Sequence, residues 1–286
     1  MTSGNQQMSV LRMSGSMMSL DMAYSSVRGN LHVIRELPNQ DAIDVRELGD
    51  ELIISLADGH GSNACFRSDL GSKMAVEIAN DLITEKMDLI TETPEKSKEI
   101  CEELCKTIAE SWSKATLRHL GENAFSDSEV DDLSEEKRKT LGKNALIAYG
   151  TTLMTVILSK NNIIVMNIGD AELLLKYKNK PDVMVLNQDK RVGNETESLA
   201  LPFAHRYYTV DIYEIDEIEA LLATTDGYPN SFKQEEGFIK VIDDLLSITK
   251  SHGIAAIQDN FETWLTDTST EGSGDDITAC FVTNFA

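Results

Sequence analysis

Positive charge is what this chain has least of: 26 Lys and Arg stand against 48 Asp and Glu, a formal net charge of −22 over 286 residues. A surface of that sign repels phosphate backbones and anionic lipid, so neither nucleic acid nor a membrane is expected as a partner. Cysteine is also scarce. Cys65, Cys101, Cys105 and Cys280 form no Cys-x-x-Cys pair, and Cys101 and Cys105 share one face of an expected helix, which reads as reduced thiols. No apolar run reaches the roughly 18 residues of a spanning helix. The Ser- and Met-rich start, Met1 to Leu20, lacks the basic-then-apolar order of a signal peptide, so a cytoplasmic location is expected by elimination. The phosphate loop Gly-x-x-x-x-Gly-Lys-[Ser/Thr], the Gly-x-Ser-x-Gly elbow and the His-Glu-x-x-His helix are all missing, which removes support for common nucleotide, serine-hydrolase and zinc chemistries.

What is present is a size and pattern suited to one domain. Residues 1–20 have no periodicity and predict a disordered tail, leaving 21–286 as a single folded unit expected to be monomeric. Strands are expected at 22–28, 42–45 and 51–57. Two long helices follow, the first capped by Ser62 or Asn63 with the stripe Leu70, Met74, Ile78 and Leu82, the second over 97–120 with Ile100, Leu104, Ile108, Trp112 and Ala115. The acidic stretch 121–143 predicts a solvated loop or short surface helix. Four runs between Gly150 and Leu186 predict an antiparallel meander, two more strands follow at 206–213 and 220–225, then helices, and Asp276 to Thr283 reads as the last strand. Strand runs alternating with helix pairs imply sheets with helices on their outer faces.

The chemistry is concentrated where strands end. Leu52 to Ala57 is a nearly continuous apolar run that stops at Asp58-Gly59-His60-Gly61. The same design, an acid beside glycine next to an apolar strand, recurs at Gly169-Asp170, Asp226-Gly227 and Gly274-Asp275-Asp276, with Asp41 as a fifth acidic position. Any one of these alone reads more readily as a turn. Together they suggest convergence, and carboxylates so gathered repel by about 4 kcal/mol per close pair at an effective dielectric near 20. Divalent cations would remove that cost, and oxygen-only ligation favours Mg²⁺ or Mn²⁺.

In order and spacing, Asn39-Gln40-Asp41, Asp58-Gly59-His60-Gly61, Gly150-Thr151-Thr152-Leu153, Asn167-Ile168-Gly169-Asp170, Thr225-Asp226-Gly227 and Gly274-Asp275-Asp276-Ile277-Thr278 resemble the successive motifs of the metal-dependent type-2C serine/threonine protein phosphatases. The resemblance spans about residues 24 to 284. It implies an α+β fold, a layered α-β-β-α sandwich of two antiparallel β-sheets flanked by antiparallel helix pairs, with two metals and a third, weaker site at one end. Asp58 would bridge the two metals, the Gly59 carbonyl would bind one, and Asp226 and Asp275 would complete the pair. Asp41 matches the acid that acts through bound water, and Asp170 matches the third-metal residue. His60 matches the proposed general acid in the hydrolysis of phosphoserine or phosphothreonine in a phosphoprotein by a metal-activated water.

Three positions depart from the pattern. Gln40 stands where many members have Glu, and Ser62 replaces the last glycine of the usual Asp-Gly-His-Gly-Gly run. The phosphate-binding arginine is expected at the position of Glu36, so Arg35 and, after it, His32 are the candidate substrate-binding residues. The stretch between Asp189 and Tyr207 is short for a substrate-facing flap. The alternatives are a catalytically weak or silent relative that binds a partner through the same fold, and a hydrolase of small phosphoesters using the same residues.

Overall fold

A computed structural model describes residues 20–91, 93–180, 183–186 and 197–285. The expected disordered tail therefore lies outside the described residues except for Leu20, which is buried, and so does much of the expected short flap. Two five-stranded antiparallel sheets face each other. One has the order β1-β10-β9-β6-β7, from Asp21–Val27 (β1), Ile277–Thr283 (β10), Ile218–Thr224 (β9), Glu172–Tyr177 (β6) and Val183–Leu186 (β7). The other has the order β2-β3-β4-β5-β8, from Ala42–Leu48 (β2), Glu51–Ala57 (β3), Leu153–Leu158 (β4), Asn162–Ile168 (β5) and Thr209–Glu214 (β8).

Alternation along each strand divides its side chains between two cores. Leu52, Ile54 and Leu56 of β3 meet Leu173, Leu221 and Val282 between the sheets, whereas Ile53 and Ala57 face the helices Ser68–Ile90 (α2) and Pro94–Glu122 (α3). On the far side, Leu174, Leu222 and Phe281 pack against Glu235–His252 (α6), Ala255–Gln258 (α7) and Phe261–Glu271 (α8). Both faces of each central strand are thus covered, which is why the run 52–57 is apolar at almost every position. The layers are the expected α-β-β-α sandwich.

Several local expectations shift. The segment 150–186 does not form one meander. Strands β4 and β5 stay in one sheet, where β8 takes the free edge of β5, and β6 crosses to the other sheet to pair with β9 and β7. Helix α2 begins at Ser68 because Ser62 to Arg67 form turns of their own, with Cys65 N–H donating to Ser62 and Ser68 N–H to Cys65. Its most buried line is Gly71, Ala75, Ala79 and Ile83, one position on from the expected leucine and methionine stripe, which lies on the flank of the same core. Small residues let this helix approach closely: a Cβ on Gly71 would stand 1.9 Å from the Tyr149 carbonyl oxygen. Between Gly29 and Asp41, expected as loop, there is a short helix, Asn30–Ile34 (α1).

The acidic stretch 121–143 carries Asp127–Val130 (α4) and Glu135–Lys143 (α5), and it is tied to the interior by a buried arginine. Arg67 donates to both Glu129 carboxylate oxygens at 2.6 and 2.9 Å, to the Asn123 and Ala124 carbonyls, and to the Tyr149 hydroxyl at 2.7 Å. It also lies over the Phe125 ring. These bonds hold the Glu129 carboxyl down at about 2, so their stabilisation is present above its ordinary value of 4.5 and is lost as pH falls from there through about 2. Because Glu129 keeps 26% of its side chain exposed, Glu129→Gln should cost about 2 kcal/mol near neutral pH, less than the 3–5 of a fully buried pair. Urea melts at falling pH check this: the penalty should shrink steadily below about pH 4.5.

Candidate metal centre

The ends of strands from both sheets meet at one pole of the sandwich. Strand β3 delivers Asp58, whose backbone N–H donates to Thr152 Oγ1 at 2.9 Å and whose carbonyl accepts from Thr152 N–H at 2.9 Å and Thr151 Oγ1 at 2.8 Å. The next residue must be glycine, since a Cβ on Gly59 would stand 2.5 Å from the Gln40 carbonyl oxygen. Strand β5 is followed by Gly169, with φ +112° and the Thr152 side chain 2.5 Å from where a Cβ would be, and this sharp turn brings in Asp170. From the other sheet, β9 runs out at Asp226, where Asn230 Nδ2 donates to its carboxylate at 2.9 Å.

Asp58, Asp170 and Asp226 each offer a carboxylate oxygen, and the three oxygens lie within 4.8 Å of one another. Burial raises the Asp58 carboxyl well above its ordinary value, with Asp41, Asp226 and Asp170 adding repulsion. Burial, then Asp170, pushes Asp226 up to about 6. Such a group suits a hard divalent cation, which would replace mutual repulsion by attraction.

The other expected site residues occupy different depths. Asp41 is buried behind the cluster, where its carboxylate accepts from Thr225 Oγ1 at 2.7 Å. Asp275 sits at the rim with 54% of its side chain exposed and accepts from Asp276 N–H at 2.9 Å. His60 is anchored through its N–H to the Gly150 carbonyl at 3.0 Å, and its buried Nε2 has no hydrogen-bond partner. Burial lowers the His60 imidazole below its usual value against the pull of Asp170, so the ring is neutral near pH 7.

Burial raises the carboxyl of Asp275, and the charge of the exposed Arg35 offsets a small part of that rise. His32 points the other way. Its Nδ1 is 2.8 Å from Asp276 Oδ2, its Nε2 is 4.0 Å from Asp275 Oδ1, and the bond to Asp276 raises its pKa. Glu36, at the position of the expected arginine, takes φ +58° just past the end of α1.

Sequence reasoning passed over Asp276. Its buried carboxylate accepts from Gly29 N–H at 2.6 Å, Gln40 N–H at 2.7 Å and His32, joining the segments that carry Asp41, α1 and Asp275. The doublet Asp275-Asp276 was the available signal, because two adjacent acids on an extended segment point to opposite sides.

A family model described as protein phosphatase 2C matches residues 28–266. The chain belongs to that family. No curated protein matches it by sequence search. Among solved structures, a bacterial serine phosphatase superposes with TM-score 0.62 at 15% identity, covering 93% of this chain and 98% of its own. The serine/threonine phosphatase of S. agalactiae gives 0.58 at 18%, covering 92% and 99%, and Stp1 of Staphylococcus aureus gives 0.55 at 13%, covering 96% and 98%. At these identities the superpositions establish the fold, and they cover nearly the whole of both chains. The protein phosphatase 2C family is metal-dependent, and the three converging carboxylates of this member are compatible with that.

Removing the His32 ring should leave the buried Asp276 carboxylate with only the Gly29 and Gln40 N–H groups and a cavity beside it. His32→Ala is expected to lower stability by about 2 kcal/mol in urea melts. A residue that only gripped substrate phosphate would leave the melt unchanged and raise the Michaelis constant instead.

Proposed function

We propose that this protein is a Mn²⁺- or Mg²⁺-dependent phosphatase of phosphoserine and phosphothreonine in proteins, and the observation that carries the reading is the convergence of Asp58, Asp170 and Asp226 at the strand ends. In it, Asp58 and Asp226 hold two cations with the Gly59 carbonyl and Asp275, Asp41 supports them through water, and Asp170 serves a third, weaker site. When bound, the cations supply Lewis-acid neutralisation of the phosphoryl oxygens and ease the deprotonation of water. Everything else falls to the chain's own groups.

His60 has a buried, unpartnered Nε2 beside the carboxylates, and a neutral ring gains a proton more readily once a phosphate dianion lies next to it. That nitrogen would hand the proton to the departing seryl or threonyl oxygen. Arg35, exposed and near enough for its charge to act on the Asp275 carboxyl, is the candidate grip on the phosphate, because a guanidinium can bond two of its oxygens at once. His32, held by Asp276, is left with positioning. A phosphoprotein substrate, a monomer and a cytoplasmic setting complete the reading. The substrate class follows from the family match, and the charge of −22 suits a chain that repels copies of itself.

Asp58→Ala and Asp226→Ala should each abolish nearly all Mn²⁺-dependent phosphate release from a phosphothreonine peptide while circular dichroism shows the fold intact. Undiminished turnover by a folded Asp58→Ala protein would remove the assignment. His60→Ala should slow release from the peptide by about 10²- to 10⁴-fold, but slow an aryl ester with a good leaving group far less, since only a poor leaving group needs the proton. Equal losses on both substrates would leave His60 a neighbour without a proton to give.

A further inference from the structure

Helix α1 turns one of its five residues inward, His32, and leaves Leu31, Val33 and Ile34 at 41%, 46% and 68% exposure. It is nevertheless firmly held. Its start is fixed by Gly29, whose N–H donates to Asp276. Its end is closed by Leu37 N–H donating to the His32 carbonyl at 2.9 Å and Glu36 N–H to the Val33 carbonyl at 3.2 Å, the paired bonds of a left-handed helix stop. Leu31 N–H donates to the Gly274 carbonyl at 2.8 Å, and the Leu31 side chain lies so close over Gly274 that a Cβ there would stand 2.6 Å from its Cγ. The helix is thereby joined to the residue beside Asp275.

Apolar side chains exposed singly are ordinary, but three within five residues on a pinned helix, at the rim of a candidate active site, mark an interaction surface. We propose that α1 docks the substrate polypeptide and makes the enzyme select phosphopeptides with an apolar side chain close in sequence to the phosphorylated residue. This rests on the phosphatase reading above and adds its substrate class. Continuity argues for this occupant: an extended peptide whose phosphate enters past Asp275 advances roughly 3.3 Å per residue, so side chains within about three positions pass over α1. The carboxylate cluster and the charge of −22 repel acidic flanks and draw basic ones in alike, so it is the exposed Leu31, Val33 and Ile34 that would add a preference for an apolar side chain. A surface held by backbone bonds and a buried carboxylate loses little freedom on binding.

The test uses the full chain with Mn²⁺ and two phosphothreonine peptides that differ only in Leu or Asn two residues from the phosphate. Wild type should favour the Leu peptide by about tenfold in kcat/KM, or about 1.4 kcal/mol, chiefly through KM. The double variant Val33→Ser/Ile34→Ser should lose that preference, while Leu117→Ser, equally exposed on α3, should keep it. Fluorescence anisotropy of the same peptides reads docking apart from turnover. Preferential binding without phosphate release would uphold the surface and defeat the phosphatase reading. Release without preference, or a preference surviving in the double variant, would overturn the proposal. So would sedimentation showing that wild type self-associates through this face and the double variant does not.

Discussion

Repulsion among carboxylates at one pole of the sandwich is the constraint around which the rest of the structure is arranged. Asp41, Asp58, Asp226 and Asp275 all have carboxyls raised first by burial and then by neighbouring acids, Asp170 and Asp276 among them. In water such groups would move apart. Here the backbones of Asp58, Asp226 and Asp275 cannot, because each adjoins a strand paired on both sides, and Asp41 is held by its bond from Thr225. The inter-sheet core supplies the rigidity, and the pole carries the cost.

The acids are also graded. Asp58, Asp170 and Asp226 converge within reach of one cation, Asp41 is buried behind them on Thr225, and Asp275 stands at the rim near Arg35. Asp276 belongs to a different task. With three donors around its carboxylate it behaves as an internal brace, and the helix α1 is the part it braces. One pair of adjacent residues therefore links the floor of the site to its outer rim.

Much of this was legible in the sequence, for a physical reason: an apolar run ended by acid and glycine reads as a buried strand meeting a turn, and four such ends in one chain point to convergence. The run 52–57 and the segments at 169–170, 226–227 and 274–276 are that signal. Less legible were features set by long-range contacts. The departure of β6 to the second sheet depends on β8 occupying the edge of β5, and no local pattern around Glu172 encodes that. The one-residue offset of the buried line of α2 reflects close approach at Gly71, where smallness mattered more than hydrophobicity. Helix α1 was hidden because its apolar residues face outward, the reverse of the usual periodic signal. The bond between His32 and Asp276, which lie 244 residues apart in the chain, has no local signal either.

The central claim is that the strand-end carboxylates form a site for divalent cations. Crystals grown with Mn²⁺ and measured near the manganese absorption edge test it most directly, because anomalous scattering locates the ion without reference to activity. The account predicts strong anomalous peaks bounded by Asp58, Asp170 and Asp226, with Asp275 at their edge. Crystals that diffract well, were soaked to millimolar Mn²⁺ and show no anomalous peak among those carboxylates would contradict it.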